Sequence, residues 1–148
     1  MKNQPTYDDA NLILRLYELR REARLREARR WMVSVPPFTS REAWLKACPP
    51  GSEENASFRM VVTYWDMAAS FVATGVLNAE LFYRANNAEM LYVWEKIRLV
   101  LPEIRAVAKN PLQYRHLEEV SKTFIEYMNA NAPDWYETFA GNIAKIGK

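Results

Sequence analysis

An all-α fold is what this sequence predicts: a compact bundle of six to eight helices with a long N-terminal helix. Three observations predict it. Apolar residues recur at the three-and-four spacing of a helix face, and caps punctuate the chain at helix-length intervals. The four glycines leave little material for tight hairpin turns, and no stretch alternates as a strand. The 148 residues, 49% hydrophobic and 13% aromatic, suffice for one core and are too apolar for disorder. One all-helical domain over 1–148 is expected, with a basic helix over about 6–34 and a helical body over about 39–146.

The first helix begins at Thr6, where "TYDD" sets a hydroxyl cap three residues before Asp9. It runs to about Ser34, and Pro36 and Pro37 end it. "TSREAWLKAC" is a short helix capped by Thr39 with Glu42, stopped by "PPG". Ser52 caps the next helix and Gly75 suits its left-handed C-terminal cap; inside it Arg59, Thr63, Asp66 and Ser70 form a narrow polar strip. "NAELFYRAN" from Asn78 and "NAEMLYVWE" from Asn87 each read as an asparagine-capped helix start. Pro102 kinks the second of these or starts a new segment. Asn110 with Pro111 opens a helix through about Met128. A last helix starts near Pro133, with Trp135, Phe139 and Ile143 on its inner face.

The stretch "RREARLREARRW", Arg20 to Trp31, holds six arginines in twelve residues. Its near-repeat has a period of five, which turns each copy about 140° around the helix, so the charges spread instead of forming one stripe. Glu22 precedes Arg26 by four, and Glu18 and Glu27 precede Arg21 and Arg30 by three, spacings that favour salt-bridged, solvated faces. The apolar stripe rotates midway: Leu12, Leu16, Leu19 and Ala23 lie together, whereas Leu25, Ala28, Met32 and Val35 lie well around the cylinder. Either the helix bends, or its second half packs on something different. Arg24, Leu25, Ala28, Arg29 and Met32 are therefore the candidate partner surface. Nucleic-acid binding is less supported, because aromatic interleaving is confined to Tyr17 and Trp31.

Little in the chain carries chemistry. The net charge is +2, with a mild basic bias before residue 52. His116 is the only histidine and Cys48 the only cysteine, so neither a two-histidine metal site nor an internal disulfide can form within one chain. The pair His116 and Glu119 is a weak one, and Cys48 reads as an inert packed thiol. Asp66 in "YWDMAASF" is the carboxylate to examine first, with pairing across helices as its ordinary role. Tyr64, Trp65, Asp66, Tyr92 and Trp94 are the candidate ligand pocket, against the reading that such aromatics form core. No phosphate loop, metal, cofactor, export signal or membrane span is expected, which points to a reducing, cytoplasmic setting.

"FVATGVLNAELFY", an apolar helix ending in glycine before an asparagine-capped helix, and "YVWEKIRLVLPEIRA", a tryptophan helix running into Pro-Glu-Ile-Arg, resemble a bacterial family of helical domains, domain of unknown function 4760. The resemblance implies an all-helical fold and no established activity, and it transfers no site residue. Members of that family often carry a transmembrane helix ahead of the domain; here a charged helix stands in that place. The expected function is a non-enzymatic protein-interaction or regulatory domain, self-associating through its first helix or binding a protein partner. Small-ligand sensing in the aromatic pocket is the alternative.

Overall fold

α4, residues Glu53–Ala73, is the hub of the molecule, and its 21 residues make it the longest helix. Ser52 caps it by accepting from the Asn55 amide, and Gly75, at φ +82°, closes it in the left-handed conformation. The computed structural model describes residues 4–148; Met1–Asn3, the start of the segment read as lacking an export signal, lie outside the described residues. Among these there are nine helices and no strand. The others are α1 (Tyr7–Arg20), α2 (Ala23–Ser34), α3 (Arg41–Ala47), α5 (Ala79–Arg84), α6 (Glu89–Ile97), α7 (Leu101–Ala108), α8 (Arg115–Asn131) and α9 (Trp135–Ala144).

α4 packs most extensively on α2 and α8, and α6 bridges α8 and α9. Phe58, Val61, Val62, Trp65, Ala68 and Ala69 of α4 are buried in one cluster with Met90, Leu91 and Ile97 of α6 and Leu117, Val120 and Phe124 of α8. α4 buries most of its circumference and keeps one face, Arg59, Met60, Thr63 and Met67, toward solvent.

The expected single helix over 6–34 is two helices. Glu22 takes ψ 138°, and its carboxylate turns back to accept the amides of Arg24 (3.1 Å) and Leu25 (3.0 Å), becoming the cap of α2. This break converts the rotated apolar stripe into a second helix whose inner face, Leu25, Ala28 and Met32, is buried beside α4. The split also takes the helix count above six to eight.

Other boundaries shift for local reasons. Ser40, not Thr39, caps α3, accepting from Ala43. Asn87 does not cap α6: its side chain donates to Phe82 O and accepts from Arg20, so the helix begins after Ala88 with no side-chain cap. Asn110 accepts from Leu112 in a turn over 110–114, and Tyr114, at φ 57°, delays α8 until Arg115. No described helix is long and apolar enough to cross a membrane.

Candidate functional site

The arginine run divides into an inner and an outer set. Arg20 ends α1 pointing inward: it donates to Asn87 Oδ1 at 3.1 Å and stacks over the Trp65 ring at 5.0 Å. Arg29 forms a two-point pair with Glu89, Nε to Oε1 and Nη2 to Oε2 both at 2.7 Å, and its remaining nitrogen donates to Arg20 O. Trp65 Nε1 also donates to Glu89, at 3.3 Å, and Tyr64 donates its hydroxyl to Leu16 O. Burial pushes the Tyr64 phenol up to about 12, so it stays protonated as that donor. These bonds hold the α1–α2 corner onto α4 and α6, which is why a chain break without proline or glycine keeps one geometry.

The outer set is Arg21, Arg24, Arg26 and Arg30, joined by Arg15 from earlier in α1. All five are exposed, and none enters an ion pair among the described residues. The expected pairs with Glu18, Glu22 and Glu27 do not form. Glu22 serves instead as the α2 cap, and its two backbone hydrogen bonds hold its carboxyl below the usual range. The positive charge of the corner is therefore less neutralised than helix spacing alone implies.

Beside this corner runs a groove of about 490 Å³ between the α1–α2 junction and α4, lined by Leu19, Glu22, Leu25, Met60, Thr63, Tyr64 and Met67. Leu19, Met60 and Met67 remain 41%, 36% and 38% exposed, an apolar strip on the solvent side of a helix pair.

The candidate partner surface from the sequence is mostly inward. Leu25, Ala28 and Met32 are buried in the core, because the break at Glu22 turns that stripe toward α4, and Arg29 is engaged by Glu89. Only Arg24 faces solvent. The five pocket residues do not surround one cavity. Trp65 and Trp94 are core side chains; Tyr64 borders the α4 groove; Tyr92 borders a separate cleft with Phe139 and Ile143 and donates to Val33 O. Asp66 does not pair within its strip. Its Oδ1 accepts the Leu117 amide at 2.9 Å, capping α8 from a neighbouring helix.

That use of Asp66 is one of a set. Asp9 accepts the Thr6 amide at 2.7 Å with one oxygen and the Asn78 amide at 2.9 Å with the other, joining the starts of α1 and α5. Glu103 accepts the Arg41 amide at 3.2 Å at the start of α3. Sequence spacing marks only the bond within α1; the three cross-helix bonds span 51 to 69 residues and have no local signal. Elsewhere, His116 and Glu119 form no bond with each other among the described residues. Cys48 is buried and donates to Trp44 O, and desolvation pushes its thiol up to about 11, away from nucleophilic chemistry. Among the described residues no group of histidine, cysteine and acidic side chains could hold a metal ion.

The model of one protein family, a domain of unknown function (DUF4760), matches residues 5–124, which covers α1 to α7 and α8 as far as Phe124. No curated protein matches the chain, and no solved structure matches it.

Proposed function

The chain belongs to the DUF4760 family, and on that premise we propose that it is a non-enzymatic protein-interaction domain that docks a helical segment carrying apolar and acidic side chains. The observation that carries this reading is the exposed strip Leu19, Met60 and Met67 near arginines that enter no ion pair among the described residues. Methionine side chains adapt to varied apolar partners, and a groove between helices is a common seat for an amphipathic helix. Arg15 lies one turn before Leu19 and Arg24 adjoins Leu25, outside the lining itself, while the lining carboxylate, Glu22, is turned to the α2 amides; carboxylates on the incoming helix would meet positive charge at the flanks of the groove. The non-enzymatic part rests on how the acids are used: Asp9, Asp66, Glu89 and Glu103 are committed to caps and to Arg29.

A photo-crosslinking residue at Met67, in cells of the protein's source, tests this, with the same residue at exposed Leu112 as control. A discrete adduct is expected from position 67 and not from 112, weakened by Arg24→Glu with Arg15→Glu. The adduct's mass separates another protein from a second copy of this chain. Equal labelling at the two positions, or an adduct indifferent to the charge reversal, would overturn the proposal.

A further inference from the structure

A further recess shares no residue with the α1–α4 groove and adjoins the Tyr92 cleft at Ile143 and Ile146. It is a cleft of about 360 Å³ between the α2–α3 linker, the end of α6 and α9, with Pro36, Pro37, Leu99, Ile143 and Ala144 among its walls. Gly147 closes one end. It sits at φ +83°, and a Cβ there would come within 2.9 Å of Pro36 Cβ, so the tail lies directly on the linker. The volume falls at the lower end of the roughly 300–1,000 Å³ of small-molecule sites.

Glu95, Arg98 and, from the exposed tail, Lys148 line the cleft too, and the state of the first two decides what it would hold. The Glu95 side chain is only 6% exposed, and both its oxygens are occupied: Oε1 by Arg98 Nε at 3.3 Å, Oε2 by the Tyr136 hydroxyl. Neither oxygen is without a partner, so it does not present an open carboxylate to a ligand. Arg98 spends one nitrogen on that pair and is 45% exposed, and its two terminal nitrogens enter no hydrogen bond among the described residues. The cleft thus offers apolar walls and a guanidinium fork held in place by a buried carboxylate, a geometry that suits a carboxylate head. The geometry points to a binding site for a small carboxylic acid with an apolar body, its head on Arg98 and its body between Pro37 and Ile143. This site is independent of the docking surface, and its α9 wall lies wholly beyond the family-matched residues.

Amide chemical-shift titrations with octanoate, octylamine and octanol, below micelle-forming concentrations, test the assignment. Octanoate should give saturable shifts at Leu99, Ile143 and Ile146, at least tenfold tighter than octylamine, with octanol between them. Ala144→Phe, at an exposed wall position, should fill the cleft and weaken octanoate at least tenfold. Arg98→Gln should bring octanoate down to the octanol affinity, whereas Arg98→Lys should retain part of the preference. Should the glutamine variant fail to fold, the head-group series and Ala144→Phe still decide. Octylamine binding as tightly as octanoate, shifts that survive Ala144→Phe, or no saturable shift at millimolar octanoate would each overturn the site.

Discussion

Lys96 is fully buried, and replacing it with methionine should flatten the alkaline limb of the stability profile. Its Nζ reaches the end of α2, donating to Val33 O at 3.3 Å and to Val35 O, with the Tyr92 ring 5.1 Å away. A cation suits the carbonyl end of a helix, but desolvation outweighs this and lowers the ammonium from 10.5 to about 8. Below about pH 8 the lysine is charged in both folded and unfolded chains, and its burial penalty is constant. Between about 8 and 10.5 the folded lysine is neutral while the unfolded one still holds its proton, so unfolding takes up a proton and stability rises with pH. At about 1.4 kcal/mol per unit the full displacement amounts to roughly 3 kcal/mol, of which about 1 kcal/mol is recovered between pH 7 and 9. Cys48 acts the other way, because its raised thiol pKa favours the fold below about pH 9 and that advantage fades above it. Urea unfolding of wild type and Lys96→Met at both pH values, followed by tryptophan fluorescence, cancels the cysteine. The change from pH 7 to 9 should be more favourable in wild type by about 1 kcal/mol. Profiles parallel within about 0.3 kcal/mol would refute the reasoning.

Three more outcomes follow from the polar bonds. Asp66→Ala removes the cap on α8 and should cost about 1 kcal/mol, with hydrogen exchange faster at the Leu117 amide than at Phe124; uniform exchange would mean the bond is dispensable. Glu89→Ala leaves half-buried Arg29 without its carboxylate and should cost about 2 kcal/mol in urea unfolding, whereas Arg29→Met with Glu89→Leu should recover much of it. Ser121, fully buried in α8 with a hydroxyl that has no partner among the described residues, should tolerate alanine, with a change between zero and about 1 kcal/mol of stabilisation; a loss above about 1 kcal/mol would reveal a partner.

The α1–α2 corner shows how far the sequence can be read. The rotation of the apolar stripe near Leu25 was visible, and it signals a change of packing direction. The break that resolves it was not, because Glu22 caps α2 by folding back on its own helix, a role residue type alone does not favour. Leu25, Ala28 and Met32 consequently look like a partner surface on a continuous helix and are core in the broken one. The groove has the same origin: Leu19 belongs to α1 and Met60 and Met67 to α4, and no pattern within either segment says which apolar residues the neighbour leaves uncovered.

Local rules determined what is local. Thr6, Ser52, Gly75 and Asn78 terminate helices through bonds within a few residues, and Pro102 starts α7 as its missing amide requires. The all-helical fold and the apolar character of α4 follow from composition and period. Tertiary structure decided where polar groups find partners across distance. Asp66 reaches α8, Asp9 reaches α5, and Glu89 takes Arg29 and Trp65, while five arginines are left to solvent. The reason is physical: a helix end or a half-buried charge must be satisfied by whatever packing brings near, and sequence spacing carries no record of that neighbour.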